Sequence, residues 1–200
     1  MVVITRSYRR AARIAVSVAL AAGIATSAWA GVKTSTQYRS YYVSGSTARS
    51  LVSYMRSHPF RGDRGDAVAN VRPNYRLSMA TKSSGGTCRA SAVNLHIAFT
   101  MTLPRARSES AMASSTRNAW RSFVSFAKRH ESTHRNIYIQ CGNSFVAKAQ
   151  RMTNKSCGAL QASIRRLLES EKRSCEAKQR AFDRRDYGRV RNLSLFRMGR

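Results

Sequence analysis

Residues 93–105 read Val-Asn-Leu-His-Ile-Ala-Phe-Thr-Met-Thr-Leu-Pro-Arg. Val93, Leu95, Ile97, Phe99, Met101 and Leu103 alternate with Asn94, His96, Ala98, Thr100 and Thr102. A period of two sends the apolar side chains to one face of a strand and the rest to the other. One face then needs a cover, and the other stays largely wet. Pro104 is expected to end the strand, because it has no N–H for a ladder. His96 falls on the polar face and reads as an exposed histidine.

Beyond this strand the period changes. Met112, Trp120, Phe123, Val124, Ala127, Glu131, His134, Ile137, Tyr138, Cys141 and Phe145 follow spacings of three and four. They predict a helix over about residues 109–153, with Gly142 as a weak point. Residues 152–156 are polar and turn the chain. Ser156 is the candidate cap of a second helix over about residues 158–182, with Leu160, Ile164, Leu167 and Leu168 on its apolar side. The two helices are expected to form an antiparallel hairpin. Upstream, Tyr75, Leu77 and Met79 alternate with polar or small residues, and Ser83-Ser84-Gly85-Gly86 turns that strand into the next. Residues 34–43 read as a further strand. Ser46 or Thr47 caps a short helix that stops at His58-Pro59, and residues 60–69 form a turn or loop. The fold class is α+β: a small antiparallel sheet packed against a long helical hairpin.

The predicted long helix contains His130-Glu131-Ser132-Thr133-His134. Residues four apart stand one turn apart on one side of a helix. Two imidazoles so placed can hold one metal ion, Zn2+ above all, and Glu131 beside them can act as the general base. The apolar stripe runs through the same positions, so the pair is expected to face the body of the protein. With a bend near Lys155, equal rise along both arms sets His134 level with Glu176. Glu176 is then a candidate third ligand, and one turn of error moves the choice to Glu171 or Glu169. Each of these glutamates read alone is a solvated helix surface.

Arg6, Arg9, Arg10 and Arg13 precede an apolar run from Ile14 to Thr26, which leads to Ala28-Trp29-Ala30. This pattern is that of a secretory signal peptide over residues 1–30, cut after Ala30. The domain then spans residues 31–188, and residues 189–200 are a basic tail. The expected location is periplasmic or secreted, with no transmembrane segment after cleavage. In such a compartment the four cysteines, Cys88, Cys141, Cys157 and Cys175, favour two disulfides. Three pairings are open. The bend brings Cys157 within reach of Cys88 in the sheet, which leaves Cys141 and Cys175 to face each other across the hairpin.

The formal charge is +27. In an exported protein this favours acidic partners, such as an anionic envelope polymer or a lipid surface. Nucleic acid is disfavoured, because no recognised binding fold or aromatic-basic module is present.

In several motifs the chain resembles the DUF922 family of bacterial secreted proteins, described as predicted zinc-dependent proteases. The resemblance spans most of residues 31–188. It rests on Trp120-x-x-Phe123 leading into His130-Glu131-x-x-His134, on Thr102-Leu103-Pro104-Arg105, on Cys88 before that strand, and on Cys157 between the helices. It implies a zincin-like helix carrying the histidine pair. The family pattern closes with Tyr-Asp-x-x-Thr-x-His-Gly. Here the segment is Phe182-Asp183-Arg184-Arg185-Asp186-Tyr187-Gly188, and its histidine is missing. Asp183, Asp186, Tyr187 or Glu176 is left as the third ligand. The expected function is a zinc-dependent peptidase acting on a peptide or cell-envelope amide, with Glu131 catalytic and His130 and His134 on the metal. The alternative is a non-catalytic cationic envelope protein of the same fold.

Overall fold

The computed structural model describes residues 31–63 and 65–200, without the side chain of Tyr187. The expected signal peptide, residues 1–30, lies outside the described residues. The elements are β1 (Val32–Val43), α1 (Ala48–Ser57), β2 (Phe60–Gly62), β3 (Gly65–Ala67), β4 (Asn70–Ser84), β5 (Thr87–Ala106), α2 (Ser114–Gln150), β6 (Thr153–Asn154), α3 (Cys157–Arg191) and α4 (Ser194–Met198).

β5 is the centre of the main sheet, with order β1-β5-β4. Val93, Leu95, Ile97, Phe99 and Met101 are all buried, as their alternation requires. They pack under Tyr138, Cys141 and Phe145 of α2 and under Leu160 and Ile164 of α3. Helices cover this face of the sheet, and the His96 side chain on the other is bonded to Ser35, Oγ to Nε2 3.3 Å. β4 and β5 form a hairpin closed by Gly85 (φ 56°) and Gly86 (φ 73°). Two left-handed residues in a two-residue loop match the twist of the strands they join.

The sheet is mixed rather than antiparallel: β1 runs parallel to β5. α1 and the small β2–β3 hairpin carry the chain back along the sheet before β4, and the tight β4–β5 turn then restores the direction of β1. Pro104 does not end β5. It sits opposite Tyr41 of β1, while β4 stops at Asn70 opposite Thr102. Arg107 N–H donates to the Val43 carbonyl at 3.0 Å. By alternation the missing donor of Pro104 therefore faces the side that β4 has already left.

The helices also differ from expectation at their ends. Met112 is buried with an extended backbone, so residues 109–111 form only a 3-10 turn and α2 begins at Ser114. At the other end Thr153 and Asn154 leave the helical path to pair with Arg89 and Cys88 as β6. α3 starts beside that pairing and runs back along α2. It does not stop at Phe182 but continues to Arg191. The basic tail is packed: α4 puts Leu195, fully buried, into a second core with Val43, Leu51, Trp120 and Phe123. α1 contributes to the same core and opens with a Thr47–Ser50 capping box.

Both disulfides join the expected partners. Cys88–Cys157 ties the start of α3 to β5, and Cys141–Cys175 ties α3 to α2.

Candidate metal centre

Ala127, Glu131, His134, Tyr138 and Cys141 lie at spacings of four and three on the buried side of α2. α3 faces them with Cys175, Gln179, Asp183 and Asp186 at a similar spacing. The cross-helix pairs make a ladder. It starts at the Cys141–Cys175 disulfide, passes the Tyr138–Glu176 hydrogen bond of 2.9 Å, and ends at the two histidines. Polar groups thus occupy the continuation of an apolar seam, where each must find a partner.

His134 Nε2 lies 2.7 Å from Asp183 Oδ1 and 3.0 Å from His130 Nε2. His130 Nε2 lies 3.4 Å from the same Asp183 oxygen. His130, His134 and Asp183 are therefore a candidate metal-binding triad. The other ring nitrogens are engaged elsewhere. His130 Nδ1 is 2.7 Å from Asp186 Oδ2, and His134 Nδ1 is 2.5 Å from Gln179 Oε1. The Gln179 amide is oriented by its second bond, Nε2 to the His134 carbonyl at 3.1 Å. Its oxygen therefore accepts from the ring, and the proton of neutral His134 belongs on Nδ1. The carboxylate of Asp186 imposes the same tautomer on His130.

Both Nε2 lone pairs and a carboxylate oxygen consequently converge on one point. Three donors about 2 Å from a tetrahedral ion stand about 3.3 Å from one another. The observed triangle is of that size. Its N/O chemistry and the second bond on each imidazole suit a divalent ion such as Zn2+. A proton is the competing occupant. Burial opposes charge on His130, but the hydrogen bonds to Asp183 and Asp186 outweigh it, and its pKa is raised.

Glu131 is buried beside the triad. Burial raises its pKa, against the opposing pull of both histidines, and the Val71 backbone N–H of β4 bonds its carboxylate. Glu131 and the triad line a cleft of about 880 Å³. Its lining also comes from the β2–β3 hairpin, the last turns of α3, α1 and α4.

His130, Glu131 and His134 thus lie together as expected, and of the four candidates for a third position Asp183 is the one grouped with the two histidines. Glu176 is taken by Tyr138, Glu171 by Lys148 and Glu169 by Lys172. β6 carries the chain past the end of α2 before α3 turns back. His134 therefore faces Gln179 and Asp183, about one to two turns beyond the level that equal rise implied. Asp186 supports His130 through its far nitrogen. The Tyr187 side chain lies outside the described residues. Gln179 carried no signal of its own; only its place one turn before Asp183 could have singled it out.

A family model described as bacterial protein of unknown function (DUF922) matches residues 38–189. The chain belongs to the DUF922 family. No curated protein and no solved structure matches it.

Proposed function

We propose that this DUF922 protein is an exported zinc-dependent hydrolase of amide bonds, its domain following a cleaved signal peptide. The observation that carries the reading is the convergence of His130 Nε2, His134 Nε2 and the Asp183 carboxylate next to buried Glu131, at the wall of an open cleft. Two disulfides agree with an oxidising compartment. No helix among the described residues is long and apolar enough to cross a membrane.

Zinc, when bound, supplies a Lewis acid that polarises a carbonyl and acidifies water. The protein supplies the rest. Asp186 and Gln179 hold the two imidazoles in one tautomer and orientation. Glu131 takes the proton of the attacking water and returns it to the leaving amine. Burial raises the pKa of Glu131, which makes its carboxylate a stronger base for the first of these transfers.

Conversion of Glu131 to Gln keeps the size of the side chain and removes the base. Turnover of a mixed peptide library, read by mass spectrometry, is expected to fall by about 10²-fold or more while zinc content is kept. Equal turnover by Glu131→Gln would remove Glu131 from the chemistry. The second reading is a non-catalytic cationic envelope protein, favoured by the excess of 36 Lys and Arg over nine Asp and Glu. Under it, no peptide in the library is cleaved and binding to acidic polymer is insensitive to Glu131→Gln.

A further inference from the structure

The cleft is chemically two-ended. At one end stand the triad, Glu131 and Asp186. Further along α3 Arg191 stands beside Arg200, which follows α4, and Arg56 of α1 lines the same cleft. All three arginines are exposed. One acidic lining residue, Asp66, is engaged by Arg61 at 3.1 Å. The main-chain oxygen of Arg200 is taken by Arg49 at 3.4 Å, and the Arg200 guanidinium donates to a neutral acceptor, the Arg191 carbonyl, at 3.3 Å. Arg56 and Arg200 thus bring positive charge to a concave site, and among the described residues neither is paired with an Asp or Glu side chain. Val190 and Phe196 add apolar wall to the cleft.

The helix gives the scale. Arg191 follows Asp183 by eight residues, or roughly 12 Å along α3. An extended peptide advances about 3.3 Å per residue, so roughly three to four residues bridge the two ends. Guanidinium groups bind carboxylate and phosphate oxygens in paired geometry. We infer that the arginine end of the cleft is a substrate-binding subsite for an anionic group, carboxylate or phosphate, held about three residues from the amide at the triad. This rests on the hydrolase reading for the position of the amide. It makes the substrate class acidic peptides.

The test uses short peptides carrying a hydroxamate at one end and, three residues away, glutamate, glutamine or phosphoserine, made in both chain directions. Affinity for the zinc-loaded protein is measured by fluorescence polarisation at low salt. A glutamate or phosphoserine probe is expected to bind about tenfold tighter than the glutamine probe, less so at high salt. Whichever acid gains more identifies the group. Arg56→Gln combined with Arg200→Gln is expected to bring the acidic probes down to the glutamine probe, whose own binding reports that the cleft is intact. His134→Ala is expected to weaken all probes alike. A preference that survives replacement of the hydroxamate by a methylamide supports the subsite and counts against the metal reading alone, if the hydroxamate itself adds no affinity. Equal binding of acidic and glutamine probes, or a preference kept in the double variant, would overturn the subsite.

Discussion

Gln179 is fully buried and uses both ends of its amide on one residue, accepting from the His134 ring and donating to the His134 carbonyl. Gln179→Leu would keep the volume and leave the ring nitrogen and the carbonyl without partners. Loss of such a support weakens metal affinity by about 10–100-fold. Competition with a zinc chelator is expected to show that loss. Gln179→Glu restores the acceptor and is expected to recover part of the affinity; equal affinity in all three proteins would exclude a positioning role. At this scale the sequence was partly legible. The spacing of His130 and His134 placed both on one side of a helix, and Asp183 stood among four candidates for the third position. Choosing it needed the register between α2 and α3, which β6 sets and which counting from Lys155 missed.

At the scale of elements, the alternation from Val93 to Met101 predicts its own burial, because β5 can satisfy it in only one way. The parallel pairing of β1 was not legible: it depends on how far α1 and the β2–β3 hairpin return the chain. Gly142 shows the same limit. Read locally it weakens α2. In place, a Cβ there would meet Ile97 Cδ1 at 3.0 Å and Leu95 Cδ2 at 3.2 Å, so the glycine sets how closely α2 lies on the sheet. Gly142→Ala should therefore destabilise, by about 1–3 kcal/mol, despite the better helix propensity of alanine. A lower urea midpoint tests this, whereas a raised midpoint would mean that propensity outweighs the contact. The Cys141–Cys175 bridge lies two turns from His134 and clamps the helices that carry the triad. Its replacement by a pair of alanines is expected to cost about 2–5 kcal/mol in stability. Thermal unfolding measures this, and an unchanged Tm would show that packing alone holds the pair.

Across the whole molecule, acidic residues are scarce and engaged. Of nine, Glu131, Asp183 and Asp186 belong to the site, and the others pair with basic groups or with Tyr138. The cationic excess was legible from composition; its gathering at one end of a cleft depends on α1, α3 and α4 meeting there. α4 also closes the second core. Leu195→Ala is expected to lower stability by about 2–5 kcal/mol, and a loss below 0.5 kcal/mol would show that the end of the chain is dispensable for the fold.

Metal content reports on the triad of His130, His134 and Asp183 without any need for a substrate. Elemental mass spectrometry of the purified protein, after incubation with zinc and dialysis, is expected to give about one zinc per chain. His134→Ala and Asp183→Ala are each expected to lose it. No zinc in the unaltered protein, or the same zinc in all three, would mean that these three residues do not hold a metal ion.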